Sequence, residues 1–261
     1  MADAPAGQAA TSLDLFLGGR LALRQRKTGH RAGTDAVLLA AAAGEPRGLV
    51  MDAGAGAGAA GLALALRAPA CFVRCIEINP AAAALARENI ADNALAQRAD
   101  CVEADILQAE SRRAAGLVEA SAALVISNPP FLDPARSRLS PDAARALAHA
   151  APPDRAGEEP FLARWLRACA ALLSPGGRVV IIHRADALDL LLAAMKGRFG
   201  GLRLLPVLPR ADAPAIRILA SAVKGSRAPL CVLPPLVLHG PDGRFTEQAE
   251  AIHRGEILIA L

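Results

Sequence analysis

A tetrapeptide behind an apolar strand carries the residues of this chain that are best suited to chemistry. Asn128-Pro129-Pro130-Phe131 follows residues 122–127, a run with the length and flanking signals of a buried parallel strand. Proline ends the strand and fixes φ, so the loop holds an amide and an aromatic ring rigidly. Open α/β sheets bind ligands at the carboxyl ends of such strands. We therefore expect the reaction centre here.

This loop suits the methylation of a planar amino group. The lone pair of an amine conjugated to a ring is delocalised, so the amine must be reoriented rather than deprotonated. The Asn128 side-chain oxygen and the Pro129 carbonyl can each accept one N–H, which aims the nitrogen at a methyl donor. Phe131 would lie against the target ring, a contact on the order of 1 to 3 kcal/mol for a nucleobase. The competing interpretation is an ordinary turn after a strand.

A glycine-rich turn forms the second anchor. Residues 49–58 read Leu-Val-Met-Asp-Ala-Gly-Ala-Gly-Ala-Gly and precede a predicted helix over residues 59–67. Without Cβ atoms the turn can approach a ligand closely, and the first N–H groups of the helix suit an anion such as the methionine carboxylate. Asp52 stands two residues before the first of these glycines.

The same glycines leave a rival interpretation open. Gly56, Gly58 and Gly61 match the G-x-G-x-x-G fingerprint of dinucleotide-binding folds, and Glu77 stands where those folds keep a ribose-binding acid. Glu77 ends a predicted strand over residues 71–78, where a carboxylate can accept bonds from both ribose hydroxyls. A nicotinamide enzyme thus competes on this region alone. The tetrapeptide at 128–131 has a role in amino methylation and none in hydride transfer.

Composition limits the class of protein. The 261 residues are 53% hydrophobic and 21% charged, which suits one large α/β domain, and the net charge of +4 leans towards an anionic partner. Five cysteines without a signal peptide or an apolar membrane segment predict a cytoplasmic protein. Cys71 and Cys75 fall about 13 Å apart in one predicted strand, so no metal site is predicted.

The N-terminal part is basic. We predict a disordered tail over residues 1–13, an extension over 14–47 and a catalytic core over 48–261, together forming a single domain from residue 14 onwards. The extension contains an exposed hairpin or edge strand, followed by a helix capped by Thr34. Its cations either contact phosphate or guard a strand edge against pairing. The candidate RNA-binding residues are Arg20, Arg24, Arg26, Lys27 and Arg31, with Arg136 and Arg138 after the tetrapeptide.

The remaining pattern completes a doubly wound sheet. Helices are predicted over residues 80–92 and 161–173, with strands over 99–104, 178–183, 202–208 and 216–223 and a turn over 174–177. Residues 132–160 form an irregular segment with one short helix over 143–150, and we interpret this segment as a substrate cover. The expected fold is a seven-stranded, mostly parallel α/β sheet of the Rossmann-like class I type.

Four segments together resemble the bacterial tRNA(Val) adenine-N6 methyltransferase family. They are the basic piece that ends in residues 33–39, the glycine turn, Asn128 to Phe131, and the tail with residues 234–239 and 244–246. The resemblance spans roughly residues 15 to 255. Release-factor glutamine methyltransferases are similar in mechanism but carry a sizeable helical domain before the glycine turn, where only about 50 residues stand here.

The resemblance implies S-adenosylmethionine as cofactor, tRNA as substrate and a seven-stranded sheet with a reversed last hairpin. Asp105 would bind the adenine amino group of the cofactor, and Ile106 would pack on its ring. The cofactor residues that it implies are Thr34, Asp52, Gly54, Gly56, Glu77, Ile78, Asp105, Ile106 and Asn128. A protein glutamine methyltransferase, a nicotinamide oxidoreductase and a module that only binds stay open as alternatives.

Overall fold

In the computed structural model, the residues that the structure describes form a mostly parallel sheet of nine strands through the centre of the molecule. The structure describes residues 11–27, 31–130 and 159–261. Phe131, Arg136, Arg138 and the predicted helix over 143–150 lie outside the described residues. None of the helices within these ranges is long and apolar enough to cross a membrane.

The elements follow one another in the alternating order of an α/β protein. The strands are β1 (Thr11–Phe16), β2 (Leu21–Arg26), β3 (Gly48–Ala53), β4 (Cys71–Glu77), β5 (Ala99–Glu103), β6 (Ala122–Ser127), β7 (Leu173–Arg184), β8 (Phe199–Leu208), β9 (Arg217–Lys224), β10 (Cys231–Val232) and β11 (Leu236–Val237). The helices are α1 (Thr34–Ala43), α2 (Ala59–Arg67), α3 (Pro80–Asp92), α4 (Ala109–Ala114), α5 (Phe161–Leu172), α6 (Leu188–Met195) and α7 (Glu247–His253).

The large sheet has the strand order β10-β8-β9-β7-β6-β3-β4-β5, with β11 also beside β8. Strands β3 to β7 pair in parallel, and β9 runs antiparallel to both β7 and β8. The reversed last hairpin and the Rossmann-like class are therefore confirmed. Helices α1, α2 and α3 pack on one face of the sheet, while α5 and α6 pack on the other.

Within the described ranges, the sheet has two strands more than the seven predicted. Strands β10 and β11 each pair two residues with β8. A strand of two residues is too short to produce a periodic pattern in the sequence. The predicted turn at 174–177 is also wrong, because these residues lie within β7 at a shift of register against β6. A Cβ on Gly177 would lie 2.9 Å from the Ser174 carbonyl oxygen, which explains the glycine.

Strands β1 and β2 form a separate antiparallel hairpin in which Leu13 pairs with Arg24. The hairpin was expected, but it is docked rather than fully exposed, since Leu21 and Leu23 are buried in the core. Strand β1 begins at Thr11, so the prediction of disorder is wrong for residues 11–13, while residues 1–10 lie outside the described part. The apolar residues Leu13 and Leu15 lie on the exposed face of β1.

Thr34 does not cap α1 as predicted. Gly33 occupies the N-cap position, and Thr34 is the first residue of the helix. No side chain makes a capping hydrogen bond there. The Thr34 Oγ1 atom lies instead 3.3 Å from His253 Nε2 of α7, so a tertiary contact takes the place of the local one.

Candidate active site

The register of three neighbouring strands brings the predicted site residues into one row. Ala53 at the end of β3 pairs with Ile76 of β4 on one side and with Ser127 of β6 on the other. The residues that follow these three are Gly54, Glu77 and Asn128. Because the strands are parallel, all three leave the sheet at the same edge, where open α/β sheets bind ligands.

The glycine turn occupies the middle of this row. Gly54, Gly56 and Gly58 have φ values of +74°, +58° and +89°, which side chains disfavour. A Cβ on Gly54 would also lie 3.1 Å from the Trp165 ring. Glycine is thus needed for the backbone conformation at three positions and for packing at one of them.

Glu77 is joined to the turn by hydrogen bonds. Its Oε2 atom accepts from the Gly56 N–H at 2.8 Å, and its Oε1 atom accepts from the Asn79 N–H at 2.8 Å. Asn79 in turn caps α3, which begins at Pro80 as predicted. A carboxylate has about four acceptor positions, so each oxygen keeps capacity for a further bond such as one from a ribose hydroxyl.

Asp52 lies behind the turn and is only 2% exposed. Its Oδ2 atom accepts from the Gly61 N–H of α2 at 2.8 Å, and a Cβ on Gly61 would come within 2.9 Å of that oxygen. Burial raises the pKa of the Asp52 carboxyl to about 7, the Gly61 bond lowers it, and the charge of Glu77 raises it further. Asp52 therefore fixes the start of α2 against the sheet.

Replacing Asp52 should change how stability depends on pH. The folded pKa of about 7 lies above the ordinary 3.8, so the folded state holds the extra proton between these values. The free energy of unfolding should fall as pH rises through this window, by at most about 4 kcal/mol. In urea titrations at pH 4.5 and pH 8, Asp52→Asn should show the smaller difference. Equal differences in both proteins would remove Asp52 as the source.

Asn128 presents an unpaired acceptor at the end of β6. Its side-chain oxygen is buried and accepts no hydrogen bond from the residues that the structure describes. Such an orphan costs about 1 to 3 kcal/mol unless a ligand supplies the missing donor. Pro129 beside it is buried as well. An amino group placed here would satisfy the Asn128 oxygen.

A buried polar chain fixes the start of this loop. The Ser127 hydroxyl donates to the Ala53 carbonyl at 2.9 Å and accepts from the indole N–H of Trp165 at 3.0 Å. The same indole packs under Gly54. Trp165 therefore touches both the glycine turn and the root of the loop that carries Asn128, and it holds the two at a constant separation.

The residues predicted to surround the cofactor adenine differ in exposure. Asp105 lies after β5 and already accepts two bonds, from the Leu107 N–H at 2.9 Å and from the Gln108 side-chain amide at 2.8 Å. Ile106 is 4% exposed and packs in the core, so it offers little surface to a ring. Ile78 is 43% exposed and directly follows Glu77. Of the two isoleucines, Ile78 has the apolar surface that a ring could cover.

The four buried cysteines are poorly suited to act as nucleophiles. Burial raises the pKa of the Cys101 and Cys169 thiols to about 12, which keeps them protonated near neutral pH. Cys71 and Cys75 are buried free thiols as well. Within the described ranges, no group of three His, Cys, Asp or Glu side chains is placed to hold a metal ion. Covalent catalysis by a thiol is thus disfavoured at this sheet edge.

Comparisons with known proteins agree with this geometry. Residues 31–153 match the family model of the methyltransferase small domain. A tRNA1(Val) (adenine(37)-N6)-methyltransferase of Porphyromonas gingivalis is 36% identical over 200 residues, which cover 74% of each chain. The chain belongs to the tRNA(Val) adenine-N6 methyltransferase family. This confirms the family and the enzyme class that the sequence indicated, and it removes the nicotinamide enzyme as the rival for the glycine turn.

Two further proteins are similar to this chain. An enzyme of the same name from Aeromonas hydrophila is 30% identical, over 84% of this chain and 86% of that one. A crystal structure of a predicted O-methyltransferase from Agrobacterium tumefaciens has a TM-score of 0.72 and 31% identity. That match covers 87% of this chain and 99% of the other.

Three of the cations proposed for RNA binding in this family member are engaged within the protein. Arg24 pairs with Asp92 at 2.7 Å and Arg31 pairs with Asp14 at 2.6 Å. Arg20 donates to the carbonyls of residues 17, 254 and 255. Arg26 and Lys27 are exposed, and neither forms an ion pair with any residue of the described ranges.

Arg26 is the last residue of β2, and Lys27 follows it directly. Strand β2 runs antiparallel to α3, since Ala22 bonds to Asn93 and Arg24 bonds to Asn89. The strand therefore heads towards the N-terminus of α3, which begins three residues after Glu77. Arg26 and Lys27 thus lie at the end of β2 that is directed towards the N-terminus of α3.

Sequence reasoning missed Trp165 and Asn89. Trp165 bonds to Ser127, and Asn89 bonds to Ala57 in the glycine turn. Trp165 is the single tryptophan of the chain and lies on a strongly amphipathic helix, which indicated burial but not its partner. Asn89 is fully buried within α3, where an asparagine is unusual without hydrogen-bonding partners. The Ala57 carbonyl that it bonds to lies on another element, so the sequence carried no signal for this contact.

Proposed function

We propose that this protein transfers a methyl group from S-adenosylmethionine to the exocyclic amino group of an adenine in tRNA. The observation that carries the proposal is the buried, unpaired side-chain oxygen of Asn128. It lies in one row with the glycine turn and Glu77. An acceptor without a donor at this point suits a substrate that brings an N–H group.

The residues of the row fit the cofactor. The turn at Gly54 to Gly58 and the start of α2 suit the methionine part, Glu77 suits the ribose, and the exposed Ile78 suits the adenine ring. S-adenosylmethionine supplies an electrophilic methyl group on a sulfonium, which becomes a neutral thioether when the S–C bond breaks. Thr34, Asp105 and Ile106 remain proposed contacts on the strength of the family resemblance.

The protein's part in the reaction is to orient the amine. The Asn128 oxygen accepts one N–H and the Pro129 carbonyl accepts the other, which turns the nitrogen lone pair towards the methyl carbon. Proline fixes φ, so the carbonyl keeps its direction. The N–C bond forms from the nitrogen lone pair, and the amine afterwards loses one proton to solvent. Phe131 supplies the stacking surface in this proposal.

The choice of tRNA over a protein substrate is supported by two observations. The relatives from Porphyromonas gingivalis and Aeromonas hydrophila are both tRNA adenine methyltransferases by name. The exposed cations Arg26 and Lys27 lie at the end of β2 that is directed towards the N-terminus of α3, the helix that follows Glu77. An unstacked adenine costs a few kcal/mol to insert, least from a single-stranded loop, and an anticodon loop meets that condition. Such an RNA substrate and a cytoplasmic location agree with each other.

The proposal is tested by labelled methyl transfer. The protein and methyl-labelled S-adenosylmethionine are incubated with unmodified tRNA, and in parallel with unmodified release factor. We expect label in the tRNA fraction alone. Label in the release factor alone would replace the proposal by a protein glutamine methyltransferase.

Charge substitutions in the hairpin should separate binding cations from structural ones. Arg26→Ala combined with Lys27→Ala should weaken tRNA binding and lower the slope of log K against log salt by about 2, since each phosphate contact contributes about 1. Affinity for S-adenosylmethionine should stay within two-fold. The measurement is tRNA affinity at four or more salt concentrations.

Arg24→Ala is the matched control for that experiment. It removes the same charge from the same strand, but its guanidinium is held by Asp92. We therefore expect a smaller change of the salt slope for Arg24→Ala than for either single substitution at Arg26 or Lys27. A double variant with the slope of the parent would show that the hairpin does not contact the RNA.

A further inference from the structure

The outer edge of β2 is completed by side chains rather than by another strand. An unpaired strand edge leaves backbone N–H and C=O groups without partners. Asn93 accepts from the Ala22 N–H at 2.9 Å and donates to the Ala22 carbonyl at 2.7 Å. Asn89 accepts from the Arg24 N–H at 2.7 Å and donates to the Arg24 carbonyl at 3.1 Å. Two asparagines on one face of α3 thus replace a neighbouring strand.

Only one of the two asparagines reaches the cofactor turn. The Asn89 side-chain amide also donates to the Ala57 carbonyl at 2.9 Å. The remaining N–H of the Asn93 amide donates to the Asn89 carbonyl of its own helix at 2.8 Å. Asn89 is 0% exposed, so its bonds lie in a dry environment where hydrogen bonds are electrostatically stronger.

Both neighbours of Ala57 have specific roles in the turn, so a displacement of Ala57 would disturb them. The residue before it donates its N–H to Glu77, and the residue after it, Gly58, has a left-handed φ of +89° and precedes α2. A shift of the Ala57 carbonyl would therefore move the Gly56 N–H that orients Glu77. The Asn89 bond opposes such a shift.

We infer that Asn89 is a positioning residue that holds the cofactor turn and links it to the hairpin carrying Arg26 and Lys27. The inference rests on the proposed function, in which the turn binds S-adenosylmethionine and the hairpin contacts tRNA. One amide bonds to both elements, so a ligand that orders one of them reduces the cost of ordering the other. Such coupling is reciprocal between the two ligands.

Asn89→Ala and Asn93→Ala form a matched pair that tests the link in the full-length protein. Both remove two bonds to β2, and only the first removes the bond to the turn. We expect Asn89→Ala to weaken S-adenosylmethionine binding by about 3- to 10-fold, which corresponds to the loss of one hydrogen bond. Asn93→Ala should stay within two-fold of the parent. The measurement is calorimetric titration.

Kinetics and a second titration distinguish positioning from general stability. Asn89→Ala should raise KM for S-adenosylmethionine while kcat at saturating cofactor changes less than two-fold. Unmodified tRNA should tighten cofactor binding by at least about 3-fold in the parent and in Asn93→Ala, and by less in Asn89→Ala. Equal effects of the two alanine variants would overturn the inference, because both would then only anchor the hairpin.

Hydrogen exchange of the parent decides the matter if Asn89→Ala does not fold. Cofactor binding should slow exchange of the Arg24 amide, which bonds to Asn89, more than that of the Ala22 amide, which bonds to Asn93. Equal protection at both amides would contradict the link. A parent protein that does not bind S-adenosylmethionine would instead refute the proposed function itself.

Discussion

Asn128→Ala should reduce turnover of tRNA by about 10²- to 10³-fold while the affinity for S-adenosylmethionine stays within a few-fold. The reason is that Asn128 acts on the target amine, whose lone pair is misdirected without the side-chain oxygen. Misplacement of a reacting group by about 1 Å can cost 10²-fold, and the loss of one preorganised polar contact at a reacting centre costs about 10²- to 10³-fold. Single-turnover rates at saturating cofactor measure the effect on the chemical step.

Asn128→Asp is the informative partner of the alanine variant. Aspartate keeps an acceptor oxygen at the same distance from the backbone, so this variant should retain more of the rate than alanine does. The alanine variant should not be destabilised, because the Asn128 side-chain oxygen accepts no hydrogen bond from the described residues. An alanine variant that methylated tRNA at nearly the parental rate would contradict the orientation mechanism.

Glu77→Ala should weaken S-adenosylmethionine binding by about 10- to 150-fold. Bonds to a charged group contribute about 1.5 to 3 kcal/mol, and the Glu77 carboxylate is proposed to accept from the ribose. The substitution also removes the acceptor of the Gly56 N–H, so the turn loses one of its supports. Calorimetric titration gives the affinity, and circular dichroism checks that the variant is folded.

Glu103→Ala provides the control for the substitution of Glu77. Glu103 is the register partner of Glu77 on β5 and is likewise an acid at a strand end, but it is exposed. Its removal should leave cofactor affinity within two-fold of the parent. Unchanged affinity in a folded Glu77→Ala variant would take Glu77 out of the cofactor site.

Local signals explain which parts of the site were predictable. The strand before Asn128, the glycine turn and the acid Glu77 are each marked within a few residues by a hydrophobic run, a glycine pattern or a strand end. The parallel sheet then aligns them, because strands of this kind share one carboxyl edge. For this reason the row of Gly54, Glu77 and Asn128 follows from the sequence once the fold class is assigned.

The contacts that were missed join residues far apart in the chain. Asn89 lies 32 residues from Ala57, and Trp165 lies 38 residues from Ser127. The same limit applied to Arg24, whose partner Asp92 is 68 residues away, so a structural cation resembled one free to bind RNA. Side-chain identity indicates what a residue can bond to, whereas the partner depends on the packing of whole elements.

Nucleoside analysis of tRNA treated with the protein tests the central claim most directly. Unmodified tRNA is incubated with the protein and methyl-deuterated S-adenosylmethionine, digested to nucleosides and examined by mass spectrometry. The account predicts deuterated N6-methyladenosine as the labelled product, and its absence in a parallel reaction with Asn128→Ala. The similar protein from Agrobacterium tumefaciens is called a predicted O-methyltransferase, a name that implies an oxygen atom as methyl acceptor. Label found in a 2′-O-methylated nucleoside, with none in N6-methyladenosine, would contradict the account.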